Sequence, residues 1–198
     1  MHYIVALGNP GEKYQHSRHN VGWIVGDVLC TAWALPTSQK QTSVSRRVSS
    51  GQVLGQDISL LYPDTYMNNS GTAVRKLVPA SQLAQLIVLY DDVDLPLGDV
   101  RVSFGRGAGG HNGMTSIIEK LGTKDFIRVR LGIGKVGFWP WQSSEVKRPA
   151  VGGPLERYVL GNFTKRELET VMQMAKQAQI VIETIITDGH VAAMNRFN

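Results

Sequence analysis

The apolar and polar positions of this chain fall into short blocks of two different periods. "YIVALGN", from Tyr3, is continuously apolar and β-branched and runs into Asn-Pro-Gly, which predicts a buried strand followed by a turn. In "HNVGWIVGDVLCTAWAL" Val21, Ile24, Val28 and Leu29 recur at helical spacing, and Pro36 stops the helix. "TSVSRRVSSGQVLGQDISLLYP" reads as two strands joined near Gly55, a hairpin, and "NNSGTAVRKLV" as a short helix after a polar start. "LIVLYDDVDLPLG" is an apolar strand that runs abruptly into acids, which predicts a wet, charged C-terminal end. "DVRVSF" is a further strand and leads into "GRGAGGHNG"; the helix "TSIIEKLG" follows, with Gly122 near its end, and then the strand "FIRVRLGIG". Residues 135 to 155 hold three prolines and "FWPW" and read as an irregular loop. "TKRE" is a capping box from Thr164 to Glu167 and opens a last helix that runs to about Asp188, with Gly189 just past its end. Strands alternating with helices predict an α/β protein with layers around a mostly buried sheet, as one domain over 1–198.

Composition narrows this picture without changing it. The 198 residues suit one domain with a real core, and 42% apolar against 19% charged residues is globular rather than disordered. A single cysteine, Cys30, excludes an internal disulfide framework and a Cys-rich zinc site, fits a reducing cytosol, and lies in an apolar helical run where a thiol reads as buried rather than nucleophilic. No apolar run approaches the roughly 18 residues of a membrane span, and "MHYIVALGNPG" reads as a strand and turn, without the marks of a signal peptide. A formal net charge of +5 leans toward a polyanionic partner, a signal that many basic proteins share without binding nucleic acid.

The candidate chemistry begins with "GRGAGGHNG", Gly105 to Gly113, whose first six residues satisfy the dinucleotide pattern G-x-G-x-x-G. A dinucleotide site places that pattern after the first strand of the unit, with an acid ending the next strand roughly 20 residues on. Here it falls mid-chain, and Asp125, the nearest acid at that distance, begins a strand. Walker A, G-x-S-x-G and H-E-x-x-H patterns are absent. Polar residues recur instead at turns: Asn9, the pair His19 and Asn20, Asn68 and Asn69, the acids Asp91, Asp92 and Asp94, and the pair His111 and Asn112. In open α/β sheets such ends line the ligand crevice. An imidazole with a carboxylate can activate water near neutral pH, and carboxamides can donate to an oxyanion or accept from a peptide N–H. The plainer reading stays beside this one: His as a cap or surface residue, Asn as a turn former, and the acids as a strand terminator or oxygen ligands for a hard cation.

With "GNPGEKYQHSRHNVGW", "TYMNNSG", "DDVDLPLG", "GAGGHNG", "RVRLGIG" and "YVLGNF" in this order, the chain resembles bacterial-type peptidyl-tRNA hydrolase from Tyr3 to about Phe163. The resemblance implies a twisted mixed sheet packed between helices, phosphorylase/hydrolase-like in class. It also implies a cytoplasmic monomer with no obligate protein partner, and cleavage of the ester between a peptide and the 3′ ribose of tRNA with no metal or other cofactor. By motif, His19 matches the catalytic base and Asp91 its carboxylate partner. Asn9 matches a carboxamide at the catalytic centre, Asn68 and Asn112 residues that hold the peptide backbone and scissile region, and Tyr14 a tyrosine against the acceptor end. His111 matches a supporting crevice residue, Arg130 a phosphate-clamp arginine, and Met67 and Val151 fit a peptide groove. The chain departs from the pattern at Ser103, where the clamp's other basic residue is expected; Arg106 or Arg101 is the candidate replacement. Tyr90 stands where relatives often have histidine, and loop 135–155 differs, its Trp139 and Trp141 read either as a lid that stacks on bases or as anchors of the loop itself. Two rivals stand beside the hydrolase: an RNA-binding relative without turnover, and a generic esterase.

Overall fold

The computed structural model describes every residue except 37–38, 42–45, 136–145, 147–148 and 151. Trp139, Trp141 and Val151 therefore lie outside the described residues. β1 (His2–Ala6) explains the continuous apolar run at the start of the chain. It lies inside the sheet, and successive side chains face opposite layers that are both covered. Ile4 and Ala6 pack against α1 (Val21–Ala32) and α5 (Lys165–Phe197). Tyr3, Val5 and the following Leu7 pack against α2 (Ser70–Leu77) and α3 (Asn112–Leu121).

Among the described residues seven strands form one mixed sheet in the order β2-β3-β4-β1-β5-β7-β6. The remaining strands are β2 (Gln39–Gln41), β3 (Arg46–Val53), β4 (Gln56–Pro63), β5 (Leu86–Pro96), β6 (Val100–Phe104) and β7 (Ile127–Gly134). β1 runs parallel to β4 and β5, and β5 parallel to β7, while β3 and β6 are antiparallel to their neighbours β4 and β7. The expected hairpin is β3–β4. Its two-residue turn holds Leu54 at φ 51° and Gly55 at φ 74°, the left-handed pair such a turn requires.

Three expectations are corrected. The acids of "DDVD" neither end β5 nor form a wet terminus at their first member: β5 continues to Pro96, its pairing with β7 slips after Asp92, and Asp91 is only 4% exposed. Residues 135 to 155 are not irregular throughout, because α4 (Gly153–Leu160) starts inside that range with a proline in its first turn, where no N–H is missed. The last helix does break at Gly189, at φ 85°, but the chain resumes helical geometry to Phe197, and Ala193, Met194 and Phe197 pack on the core. The capping box is present in both directions between Thr164 and Glu167.

The topology opens a crevice at one place. From β1 the chain crosses to the β2–β4 side and returns through α2 to β5 on the other flank of β1. Strand order reverses there, and ligands of open α/β sheets bind at the carboxyl ends beside such a reversal. α1 starts at the same point. A Cβ on Gly22 would lie 2.5 Å from the Leu7 carbonyl oxygen and 2.8 Å from that of Leu89, so glycine lets the helix begin directly on β1 and β5.

Candidate active site

That close seat brings the turn before the helix to the strand. His19 lies in a 3-10 turn, Arg18–Asn20, and is 8% exposed. Its Nδ1 donates to Asp91 Oδ1 at 2.8 Å, across 72 residues of sequence. The ring therefore carries its proton on Nδ1, and Nε2 is the nitrogen left with a lone pair. Burial by itself disfavours the charged ring, but the Asp91 carboxylate outweighs it, and the His19 pKa lies above its ordinary value. Burial likewise pushes the Asp91 carboxyl up; His19 and His111 together overcome it and hold the group well below the usual carboxylate range.

His111 Nε2 reaches the same Asp91 oxygen at 2.8 Å. Its Nδ1 accepts from the backbone N–H groups of Gly113 and Met114, at 3.1 and 3.2 Å, and so caps α3. An accepting Nδ1 leaves the ring proton on Nε2, so the helix terminus sets the tautomer and His111 faces Asp91 as a neutral donor. The two imidazoles stand 4.9 Å apart, and the Tyr90 ring meets His111 edge-on at 5.0 Å. His19, Asp91 and His111 offer three ligand atoms within 4.8 Å of one another, a spacing that admits a metal ion. The donor set does not fit one, because the His111 lone pair is spent on two amides and both rings present N–H to the carboxylate.

The same cap answers the dinucleotide pattern. A pyrophosphate would need the N-terminal amides of α3, and His111 already occupies two of them. The stretch also follows β6, an edge strand antiparallel to its neighbour, rather than a parallel strand of a βαβ unit. Gly105, Gly109 and Gly110 adopt φ of 67°, 62° and 83°, so these glycines supply the left-handed turns that return the chain to His111 and Asn112. Arg128, fully buried on β7, holds this loop by donating to the carbonyls of Gly107, at 2.6 Å, and of Arg106.

The carboxamides divide into fixed and open ones. The Asn9 backbone is gripped at both ends by Asn20, whose Oδ1 accepts from Asn9 N–H at 2.8 Å and whose Nδ2 donates to the Asn9 carbonyl at 3.0 Å. Asn9 Oδ1 in turn accepts from Met67 N–H at 2.7 Å, which among the described residues leaves its Nδ2 as the free end. Asn68, beside the buried Met67 in the turn before α2, and Asn112, the first residue of α3, are exposed and line the crevice. The crevice measures about 770 Å³. Tyr14 lines its rim with Lys13 Nζ 4.7 Å above the ring, and the α4 residues Leu155, Val159 and Leu160 form an apolar wall.

The three arginine candidates have separate surroundings. Arg130 lines the crevice, and its Nε donates to Asp92 Oδ2 at 2.7 Å. Arg106 also lines the crevice and forms no ion pair among the described residues. Arg101 is engaged elsewhere, donating to the Phe197 carbonyl at 2.8 Å and lying 3.5 Å from Asp99, while Ser103 is buried. The crevice thus brings together His19, Asp91, Asn9, Tyr14, Met67, Asn68, His111, Asn112, Arg106 and Arg130. Sequence reading passed over Arg18, Arg128, the grip of Asn20 on Asn9, and α4. For Arg128 a signal existed, since strand alternation in "FIRVRLG" puts a cation at a position flanked by buried neighbours.

Comparison with known proteins gives a consistent result. A family model described as "Peptidyl-tRNA hydrolase" matches residues 3–198. The chain is 42% identical over 201 residues to a peptidyl-tRNA hydrolase of Carboxydothermus hydrogenoformans, covering 100% of this chain and 98% of the relative. It is 40% identical over 199 residues to one from Thermodesulfovibrio yellowstonii, with 98% and 97% covered. Among solved structures, the crystal structure of peptidyl-tRNA hydrolase from Acinetobacter baumannii is similar at a TM-score of 0.86 and 28% identity, over 100% of this chain and 94% of that one.

Proposed function

The chain belongs to the peptidyl-tRNA hydrolase family and hydrolyses the ester of peptidyl-tRNA, and from that premise we propose that His19 is its general base. The observation that carries the proposal is the His19–Asp91 hydrogen bond inside a crevice rimmed by carboxamides. A water proton passes to His19 Nε2 as the water oxygen attacks the ester carbonyl carbon. The imidazolium formed is stabilised by the Asp91 carboxylate. Negative charge gathering on the carbonyl oxygen meets the free Asn9 Nδ2, held in place from behind by Asn20 and Met67. When the tetrahedral intermediate collapses, the C–O bond to the ribose breaks and the proton on His19 goes to the departing 3′ oxygen. No covalent enzyme intermediate is needed. His111 supports the reaction by donating to Asp91.

Asn68 and Asn112 are the groups that read the peptide backbone, with Met67 and the α4 wall against its side chains. Tyr14 takes the acceptor end of the tRNA, and Arg106 and Arg130 take phosphate, Arg106 replacing the basic residue absent at Ser103. The enzyme acts as a cytoplasmic monomer of one domain. No described helix is long and apolar enough to cross a membrane.

The test is hydrolysis of an N-acetyl-aminoacyl-tRNA beside the same tRNA carrying an amino acid with a free α-amino group. The blocked substrate should be cleaved and the free amine spared; equal rates would sink the reading of Asn68 and Asn112. Tight RNA binding with no release of acid would instead support a binding protein. For the phosphate contacts, Arg106→Ala and Arg130→Ala should each raise KM for tRNA substrates and flatten the log–log salt dependence by about one unit. An equal loss on an ester lacking the tRNA body would contradict that assignment.

A further inference from the structure

The residue before His19 is built into the molecule more firmly than a surface arginine has reason to be. Arg18 is 8% exposed. Its Nη2 donates to both oxygens of Glu167, at 2.9 and 3.0 Å, and its Nη1 donates to the carbonyls of Gly161 and Asn162, at 3.2 and 3.1 Å. The guanidinium also lies 4.8 Å from the Tyr158 ring centre and 5.4 Å from that of Phe163. Backbone bonds run beside it, from Arg18 N–H to the Gly161 carbonyl and from Phe163 N–H to the His16 carbonyl. Three pieces of chain meet on one side chain: the turn bearing His19, the end of α4, and the first turn of α5. Glu167 serves twice, because its Oε2 also accepts from Thr164 N–H at 2.7 Å to close the capping box. Burial pushes the Glu167 carboxyl up, but the Thr164 amide and Arg18 outweigh this and hold it below its ordinary pKa.

We propose that Arg18 is a positioning residue for hydrolysis: held in place by Glu167 of α5, it locks the turn carrying His19 to the carbonyls at the end of α4, the apolar wall of the crevice, and so fixes the imidazole relative to bound peptide. The inference rests on the reading of His19 as base. A guanidinium whose Nη2 meets both carboxylate oxygens while its Nη1 meets two carbonyls is fixed in direction as well as distance, and an error of about 1 Å in positioning can cost roughly 10²-fold in rate. Asp91 holds one side of the imidazole; nothing in the His19–Asp91 bond fixes α4.

The experiment compares Arg18→Met, Arg18→Lys, Glu167→Gln and the double variant Arg18→Met with Glu167→Gln, using N-acetyl-aminoacyl-tRNA at a temperature where each is folded by circular dichroism. Glutamine keeps the capping box, so Glu167→Gln tests the ion pair without uncapping α5. Arg18→Met should lower kcat roughly tenfold with the acid limb of the pH profile unmoved, because Asp91 is intact. Arg18→Lys should restore part of the loss, and Glu167→Gln should cost less in the Arg18→Met background than in the wild type. Lower thermal stability with full kcat in the folded variants would overturn the proposal, as would additive effects of the two substitutions. Should Arg18→Met fail to fold, Glu167→Gln and Arg18→Lys decide alone: wild-type kcat in both rejects it. Failure of the base reading is seen separately, in undiminished turnover of His19→Ala.

Discussion

Replacing His19 by alanine should lower kcat by at least roughly 10²-fold, the ordinary contribution of a positioned general base. The fold should survive. His19 sits in a turn, its ring is not part of either apolar cluster, and alanine removes the imidazole and its bond to Asp91 without touching the close approach of Gly22 to β1. The loss should fall on kcat rather than KM, since the ring acts on water and not on the tRNA body. The pH profile supplies a second reading of the same variant. In the wild type the base must be unprotonated, and its pKa lies above the ordinary imidazole value, so kcat/KM should climb with pH through a midpoint above about 6.5. His19→Ala should abolish that limb. Stability runs the other way: a raised folded pKa gives stabilisation present below about 6.5 and lost as pH rises through the folded value. Turnover near wild type, or an unchanged acid limb, would remove His19 as the base.

Asp91→Asn should lower kcat roughly 10²-fold, and the cause should differ from that in a familiar triad. In serine proteases the corresponding change costs about 10⁴-fold because the amide turns the histidine to the wrong tautomer. Here His111 prevents that turn. Its Nδ1 is committed to capping α3, so its Nε2–H must meet an acceptor, and the new amide is forced to present oxygen at the position of Oδ1. That oxygen still accepts from His19 Nδ1, the tautomer is kept, and what disappears is the negative charge that stabilises the imidazolium. Burial then acts on His19 alone, and it lowers the pKa. The acid limb should therefore move to lower pH while the plateau falls. A pH–rate profile of the variant checks both, and a limb that stays put would mean that Asp91 does not set the charge of His19. The carboxylate's own linkage has the opposite sign to that of the histidine. Its depressed pKa gives stability present above the usual carboxylate range and lost as pH falls through the folded value, so the variant should lose less stability in acid than the wild type.

Much of the site was legible as single residues. The run "YIVALGN" had to be a strand covered on both faces, the 3.6-residue spacing after Asn20 had to be a helix, and polar residues at element ends had to gather where parallel strands end. His19, Asp91, Asn9, Asn68 and Asn112 follow from that placement together with the family motifs. Periodicity, however, assigns a side chain to a face and never to a partner. That is why the acids of β5 read as a wet end, although Asp91 is buried under two imidazoles. It is also why α4, eight residues without a buried member, was passed over, its first three residues falling in the loop expected over 135–155.

The sequence by itself determined most of the elements, α4 excepted, which turns carry polar chemistry, and that glycine is needed where "GRGAGGHNG" bends. Tertiary structure alone decided who meets whom: His111 as a helix cap whose tautomer holds Asp91, Asn20 as the grip on Asn9, Arg128 under the glycine loop, and Arg18 against Glu167. Each of these depends on a direction in space between hydrogen-bonding atoms. Two of the pairs, His19 with Asp91 and Arg18 with Glu167, are 72 and 149 residues apart. A local pattern carries no information about a bond whose two ends are brought together only when the sheet closes between its helices.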